Sequence, residues 1–496
     1  MDPIIVVLSV LAVILLVVYK IRKYFSLWKD MGAPYEKPHI FYGNLKGVGT
    51  TESVIGRLQN IYEKHKDNAP FVGIFVFFKP AALIIDLDLV KSIMIKDFNY
   101  FHDRGSYFNE KDDPLSAHMF NIYGAKWRML RTKLSPTFTS GKMKYMFPML
   151  VEVSKRLGEK IHELSEVGDE IDIKQLMARY TTDVIGTVAF GIDCNSLKEQ
   201  DNTFHEMGLK IFDKPRHSFP MQLLLLSFRE WALKLGIKRF HDEIHSFFMN
   251  VVRSTVDYRI SEKVRRNDFM DILIEMFQSA GENKLTFDEL AAQAFVFFAA
   301  GFETSSSLLQ FCLYELACHP EIQRKARDHI EEVLSKHKGE FTYEAMLDMK
   351  YIDQVLNETL RMYPPLAILF RETDRDYKVP GTNYFFKKGT LAVISAYAIQ
   401  RDERIFPNPE EFNPENFSEE NMRNRPSVAH LPFGDGPRNC IGARFGMMQA
   451  RVGLVAALRS YQYDLSPKLE RPLKISPINF ITTIVGGVWL KVKQIK

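Results

Sequence analysis

The most informative stretch of this sequence is FGDGPRNCIG, residues 433–442. Three of its residues are glycine, which lets the backbone lie close to a flat, bulky group where a side chain would clash. A helical pattern follows at residues 443–459, so Cys440 precedes a helix N-terminus, where backbone N–H groups favour the thiolate over the thiol. A lone cysteine is more often a small buried hydrophobic residue, and this alternative stays open for Cys440 on residue type alone.

The neighbours of Cys440 fit a metal-bound thiolate. Such a thiolate is a ligand for a soft or borderline metal such as haem iron. Phe433 can shield the sulfur, and Arg438 can pair with an acidic group of a ligand. The remaining cysteines form no CxxC pair and have no histidine at metal-ligand spacing, which predicts a reducing compartment without a zinc finger or disulfide framework; they are Cys194, Cys312 and Cys318.

Composition narrows the class of protein further. The 496 residues are 46% hydrophobic and 25% charged, which is ordinary for a globular protein and excludes disordered, collagen-like and disulfide-scaffold proteins. A net charge of +4 is too small to indicate a nucleic-acid partner. The 38 phenylalanines predict an aromatic-rich interior.

The N-terminus is predicted to anchor the chain in a membrane. An uncharged apolar run at residues 4–19 would span roughly 24 Å as a helix, slightly short of the ~30 Å hydrocarbon core. Only Asp2 precedes the run and four basic residues follow it, the reverse of a secretory signal, so the positive-inside rule places the rest in the cytosol. A buried core helix is the alternative. We expect a signal-anchor helix, a Pro/Gly hinge and a large cytosolic domain at residues 1–25, 26–40 and 41–496.

Helical periodicity dominates the remaining chain. Thr286 and Glu289 form a capping box that opens a helix running to Cys318, and a second helix is predicted over residues 351–363. Two β-hairpins are predicted, from residues 71–78 with 81–86 and from 384–386 with 390–394. Residues 400–439 form a long, irregular stretch. The predicted fold class is mainly α with small β-sheets.

The segment AGFETS, residues 300–305, lies midway along the long predicted helix. A glycine weakens the helix there, and an acid and a hydroxyl interrupt an apolar run. We expect a local helix break whose freed carbonyls can engage water or a ligand. The alternative is a glycine packing site with Thr304 bonded to its own helix.

The decapeptide matches F-x-x-G-x-R-x-C-x-G at every fixed position and thereby resembles the haem-binding signature of the cytochrome P-450 family. The resemblance covers the chain from the anchor to the C-terminus. LSPTFTSGKMK at residues 134–144 and HLPFGDGPRNCIG at 430–442 are similar to the insect microsomal branch called family six, and they approach the mammalian drug-oxidising family three. The resemblance implies one large haem-thiolate domain behind the anchor, with Cys440 as the axial ligand of a b-type haem.

The resemblance also implies roles for other residues. Residues 300–305 would form the oxygen-binding groove, where Thr304 assists oxygen activation and Glu303 relays protons. The implied partners of the haem propionates are Trp127, Arg131, Arg371 and Arg438, with Arg104 as a weaker candidate.

A helix behind the cysteine loop resembles the E-x-x-R helix of the family, whose buried ion pair, here Glu358 and Arg361, fixes the core. The family usually completes this pair with an arginine in P-E-R-F. This chain has PENF at residues 414–417, so Asn416 can offer a hydrogen bond without a charge.

The resemblance implies a monooxygenase that inserts one oxygen atom from O2 into a lipophilic small molecule, such as a xenobiotic, plant toxin, insecticide, hormone or lipid. Electrons would come from an NADPH-cytochrome reductase, with cytochrome b5 as a further donor, at the endoplasmic reticulum membrane on its cytoplasmic face. A basic cluster, otherwise an ordinary solvated face, would receive the reductase; it comprises Lys126, Arg128, Lys133, Lys142 and Lys144.

Two alternative functions remain at this point. One is a haem-thiolate isomerase or dehydratase, whose members tend to lack the acid–alcohol pair at Glu303 and Thr304. The other is a non-catalytic haem sensor or carrier of hydrophobic ligands. By family position, the substrate chamber is expected at residues 108–120, 212–248, 295–302, 366–370 and 480–484.

Overall fold

The computed structural model describes residues 3–168, 170–199, 202–266, 268–281 and 284–495. Asp2, which the charge pattern uses, lies outside the described residues. The helices are α1 Pro3–Phe25, α2 Leu27–Asp30, α3 Val54–His65, α4 Leu87–Lys91, α5 Gly124–Leu134, α6 Ser140–Val167, α7 Ile173–Ile185, α8 Thr203–Asp213, α9 Phe219–Ser227, α10 Arg229–Lys234, α11 Asp242–Ser261, α12 Phe269–Gln278, α13 Phe287–Cys318, α14 Pro320–Lys336, α15 Tyr343–Asp348, α16 Lys350–Met362, α17 Ala396–Ile399, α18 Glu419–Arg423 and α19 Ala443–Leu458. The strands are β1 Phe71–Val76, β2 Lys79–Ile84, β3 Glu170–Asp172, β4 Ile368–Glu372, β5 Tyr377–Lys378, β6 Phe385–Phe386, β7 Leu391–Ser395, β8 Tyr461–Leu465 and β9 Trp489–Gln494. The predicted fold class, mainly α with small sheets, is confirmed.

The central helix of the fold is α13. Its capping box is present as predicted, since the Glu289 N–H donates to the Thr286 hydroxyl at 3.2 Å and the Thr286 N–H donates to the Glu289 carboxylate at 2.8 Å. The helix crosses the larger hydrophobic core and packs against α7, α16 and α19. It therefore carries residues 300–305 through the middle of the protein.

The predicted break in this helix is wrong, because α13 continues through residues 300–305. Gly301 instead allows close packing against α7, since an added Cβ would lie 2.4 Å from the Ile185 side chain. The Thr304 hydroxyl donates to the Ala300 carbonyl at 2.7 Å, as Ser and Thr often do inside helices.

The sheet strands confirm one predicted hairpin and correct the other. β1 and β2 pair antiparallel, as expected. β6 pairs with β5 rather than with β7. β7 lies between β2, in parallel, and β4, antiparallel, in a sheet of order β1-β2-β7-β4. All five residues of β7 are buried, so a neighbour on each side satisfies its backbone groups. A second sheet has the order β3-β9-β8.

The N-terminal helix α1 is apolar and exposed. Its mean hydropathy reaches 3.0, and no residue of its most apolar window is buried. Its C-terminal end docks on the first sheet, where Phe25 contacts Phe75 with ring centroids 4.8 Å apart. Trp28, in the predicted hinge, is fully buried and donates to the Ile74 carbonyl at 3.1 Å. The start of the connector is thus packed against the sheet.

Candidate functional site

A cavity of about 490 Å³ lies between α13 and the loop that carries Cys440. Ala300, Gly301 and Thr304 line it from α13, and Phe433 and Cys440 line it from the loop. Each segment that was expected to form the chamber contributes to its wall; examples are Phe120, Phe212, Phe295, Phe370 and Phe480. The chamber is therefore mainly apolar.

The loop holds Cys440 with its accessible surface towards this cavity. The Cys440 N–H donates to the Phe433 carbonyl at 2.8 Å, which closes the loop just before α19. Gly436, at φ +70°, lies so close to the Met94 carbonyl that an added Cβ would be 1.9 Å from that oxygen. This glycine is thus required by a neighbouring backbone, whereas the sequence suggested contact with a flat ligand.

Different features of the surroundings shift the pKa of the Cys440 thiol in opposite directions. Burial raises the pKa of the thiol, while a backbone hydrogen bond from Gly442 and the guanidinium groups of Arg131 and Arg104 lower it. The net direction is upward because burial outweighs the other contributions, while the backbone hydrogen bond at the start of the helix still favours the thiolate. A bound cationic metal would supply the missing stabilisation, since coordination deprotonates a thiol.

A cluster of buried guanidinium groups lies beside Cys440. Burial, then repulsion between neighbouring cations, lowers the pKa of Arg104 and Arg438 to about 9 and that of Arg371 to about 10. Asp103 is the carboxylate in ion-pair contact, 3.4 Å from the Nη2 atom of Arg438. Nε of Arg371 and both Nε and Nη1 of Arg438 are buried without a hydrogen-bond partner. Buried charge of this kind requires an anion, so the site fits the two propionates of a haem.

The predicted pair on α5 supports the same cluster. The Arg438 guanidinium lies 4.2 Å from the centroid of the Trp127 ring. Arg131 donates to the Asn439 carbonyl at 2.7 Å and also to the Asn439 side chain, so it holds the cysteine loop. Arg104 donates to the Arg438 carbonyl at 3.0 Å, which makes this weaker candidate a central member of the cluster.

The acid–alcohol pair on α13 is divided between two environments. Thr304 lines the cavity, but Glu303 is not among the described residues that do so. The Glu303 side chain is buried, with Oε1 3.7 Å from Nζ of Lys174 and Oε2 without a hydrogen-bond partner. Burial, opposed by Lys174, raises its pKa to about 7. Lys174 also pairs with Asp213 at 3.0 Å, which connects Glu303 towards the surface.

Comparison with known proteins identifies the family. The family model described as Cytochrome P-450 matches residues 33–489. A probable cytochrome P-450 6a14 of Drosophila melanogaster is 44% identical over 98% of this chain and 99% of its own length. Cytochrome P-450 6A1 of Musca domestica is 45% identical over 97% of this chain and 96% of its own length.

The chain belongs to the cytochrome P-450 family. Its resemblance to the insect family-six branch is confirmed. As a P-450 it is a haem-thiolate monooxygenase, with haem iron ligated by a cysteine thiolate. It acts on a lipophilic substrate with electrons from a redox partner, and α1 associates it with a membrane. These relatives do not favour the isomerase, dehydratase or sensor hypotheses.

The predicted ion pair of this P-450 lies behind the cysteine loop. Glu358 and Arg361 have no exposed surface and form two bonds of 2.8 Å. Arg361 also donates to three backbone carbonyls, those of Gln400, Pro409 and Glu411. Asn416 donates to Glu358 at 3.1 Å. The amide therefore joins the network, a point that the sequence left open.

The sequence analysis missed Arg425, a second cation beside this pair. Its guanidinium lies 4.0 Å from the centroid of the Phe406 ring, and it donates to the Asn416 carbonyl at 2.9 Å. Burial lowers the pKa of Arg425, while the charge of Glu358 raises it. No motif marks this residue, because it follows PENF in an irregular stretch.

Proposed function

We propose that this chain oxidises lipophilic small molecules, including xenobiotics, plant toxins, insecticides, hormones or lipids, at a b-type haem whose axial ligand is Cys440. The observation that carries this proposal is the position of Cys440 between an apolar chamber and a cluster of buried, incompletely paired guanidinium groups. When bound, haem supplies the iron at which dioxygen is activated. The chain binds the haem, encloses the substrate and moves protons.

Residues from four separate segments would form the haem site. The unpartnered nitrogens of Arg371 and Arg438 would donate to the propionates, and Arg104 would add positive charge beside them. The Trp127 ring packs against the Arg438 guanidinium, and Phe433 would shield the sulfur. Arg131 acts through the loop, because its donors are engaged by Asn439.

Proton supply is assigned to the acid–alcohol pair. A carboxyl group with a pKa of about 7 can both bind and release protons at neutral pH, which suits proton transfer. Glu303 would take protons from the side of Lys174 and Asp213, and Thr304 would present its hydroxyl to the cavity. The Glu358, Arg361 and Asn416 network has a structural role.

The redox partner is proposed to be an NADPH-cytochrome reductase, with cytochrome b5 as a second donor. Arg128 and Lys133 on α5 are exposed beside the cysteine loop, and so is Arg444 at the start of α19. Lys126 and Lys144 of the predicted cluster are engaged with acidic side chains, namely Glu110, Glu289 and Glu344. An acidic partner would be steered towards the exposed cations.

The proposed location is the endoplasmic reticulum membrane with the catalytic domain on its cytoplasmic face. Basic residues follow the apolar part of α1, as the positive-inside rule requires. Residues 1–25 would form the anchor, 26–40 the connector and 41–496 the monooxygenase domain. Because Trp28 is buried in the sheet, this connector would hold the domain close to the bilayer.

Reconstitution tests the proposed function. The purified full chain with haem, reductase and NADPH should convert a lipophilic probe to a product with one added oxygen atom. Cys440→Ala should lose the red-shifted carbon monoxide band of the reduced protein, whereas Cys318→Ala should keep it. NADPH consumption without oxygenated product, or a persistent band in Cys440→Ala, would contradict the proposal.

The partner assignment needs its own measurement. Lys133→Glu and Arg444→Glu should raise the reductase concentration needed for half-maximal turnover and weaken its salt dependence. Lys493→Glu, an exposed position on β9, is the control. Equal effects of all three changes would argue against a docking face beside the cysteine loop.

A further inference from the structure

A second group of cationic side chains lines the cavity on segments that the haem site does not use. They lie after the end of α8 and before the start of α11, and we call them the basic rim: Lys214, Arg216, His217, Arg239 and His241. The rest of the chamber is largely apolar, so these residues make one part of its wall polar and basic.

Arg239 is a partly buried member of the basic rim, and its side chain has few hydrogen-bond partners. Its guanidinium makes one long contact, 3.4 Å to the Tyr107 carbonyl. Among the described residues, no carboxylate lies within 4.0 Å of it. Arg216, by contrast, pairs with Asp242 at 3.5 Å and donates to the Phe240 carbonyl at 2.9 Å.

Asp113 is the acid close to Arg239, and its carboxylate binds the backbone of this segment. Oδ2 of Asp113 accepts the N–H groups of Arg239 at 2.7 Å and Phe240 at 3.2 Å. It therefore fixes the position of Arg239 and attracts its charge only from beyond ion-pair distance. Burial lowers the pKa of the Arg239 guanidinium, but an arginine stays protonated in a protein.

His118, which is close enough to Arg239 to be affected by its charge, is itself uncharged. His118 lines the cavity and is buried. Burial and repulsion by Arg239 and Arg104 lower its pKa to about 3, so it is neutral at physiological pH. Arg239 thus presents to the mainly apolar chamber a positive charge that no carboxylate of the described residues pairs at ion-pair distance.

We propose that Arg239 binds the carboxylate of a long-chain acid substrate, whose hydrocarbon tail lies in the apolar chamber. A guanidinium presents paired donors that match a carboxylate in a bidentate geometry. Phe240 and Phe295, with ring centroids 4.9 Å apart, provide apolar surface next to the charge. This inference rests on the proposed function, because it specifies a substrate class for the same chamber.

Ligand binding to the full-length, haem-loaded chain tests the assignment. The probes are dodecanoic acid and 1-dodecanol, which share the same tail, and the measurement is the ligand-induced spin-state change. Arg239→Gln should weaken dodecanoic acid binding by about tenfold or more, as expected for a lost charge-assisted hydrogen bond. Binding of 1-dodecanol should change by less than about twofold, since a neutral alcohol gains little from the charge.

Two further variants sharpen the comparison. Arg239→Lys should retain part of the affinity for the acid, because it keeps the charge and loses the fork. Arg216→Gln is the matched control, since its charge is already paired with Asp242. An unchanged affinity of Arg239→Gln for dodecanoic acid, or an equal loss for the acid and the alcohol, would overturn the proposal.

If the Arg239 variants fail to bind haem, the unmodified chain still tests the proposal. The unmodified chain should then bind dodecanoic acid more tightly than methyl dodecanoate, and equal or weaker binding of the acid would overturn the assignment. Failure of the proposed function is distinguishable, because then neither the acid nor the neutral probes would be oxygenated with reductase and NADPH despite a normal carbon monoxide band.

Discussion

Replacing Glu303 with glutamine should make the protein more stable at high pH. The residue is 2% exposed, and Nζ of Lys174 lies 3.7 Å from its carboxylate. Burial raises its pKa from the ordinary 4.5 to about 7 despite that cation. Glutamine keeps the shape of the side chain and removes the ionisable proton.

The sign and the size of the effect follow from the shifted pKa. The folded protein binds this proton more tightly than the unfolded chain, so Glu303 destabilises the fold progressively as the pH rises from 4.5 through about 7. At about 1.36 kcal/mol per pKa unit, the penalty in the wild type at pH 8 has an upper limit of roughly 3 kcal/mol. Lys174 loses one partner in the variant but keeps Asp213 at 3.0 Å. We therefore expect the variant to be more stable by about 1–3 kcal/mol at pH 8.

Urea unfolding of both proteins at about pH 5 and pH 8 provides the assay. The variant should exceed the wild type only slightly in free energy of unfolding at the lower pH, where both side chains are neutral in the folded protein, and clearly more at the higher pH. Other titrating groups cancel in the comparison. Glu332→Gln is the control, because Lys336 lowers the pKa of that exposed carboxyl group. A Glu303→Gln variant that is less stable than the wild type by the same amount at both pH values would refute the reasoning.

Three other predictions concern the site and its supports. Thr304→Ala should retain haem but release more peroxide per product in a coupled assay, and unchanged coupling would remove Thr304 from proton supply. Arg361→Leu should lower the free energy of unfolding by about 3–5 kcal/mol and Asn416→Ala by about 1–3 kcal/mol; equal urea midpoints would contradict this order. Gly436→Ala should reduce haem content, measured by the carbon monoxide band, because its Cβ would overlap a carbonyl, whereas Gly141→Ala has open space and should not.

Local patterns were sufficient to predict α1, α13, α16, α19 and one hairpin. The boundaries of α13 follow from the capping box at Thr286 and from the proline after His319, since both act within a few residues of the helix ends. The β1–β2 hairpin is likewise local. The partners of β7 are β2 and β4, and β2 lies some three hundred residues earlier in the chain, so no short-range signal could identify that pairing.

The site residues likewise fall into those that the sequence predicts and those whose roles only the structure distinguishes. Sequence alone marked Cys440 as a ligand candidate, and the resemblance to the P-450 family selected Arg131, Arg371 and Arg438 together. Only the structure separates Arg131, whose two Nη atoms donate to Asn439, from Arg371 and Arg438, each of which keeps at least one buried nitrogen without a hydrogen-bond partner. The difference depends on contacts between segments roughly three hundred residues apart, which no motif spacing encodes.

The network behind the cysteine loop shows how a departure from a family pattern can preserve its electrostatics. Glu358 accepts bonds from Arg361, from the Asn413 N–H at 2.9 Å and from the Asn416 amide. An arginine at position 416 would bring a second cation to this carboxylate, and asparagine does not. Arg425 supplies that charge instead, because its donation to the Asn416 carbonyl and its position over Phe406 place it within the field of Glu358. The cation absent from the motif is therefore present on the next segment of the chain, where the fold rather than the motif determines its position.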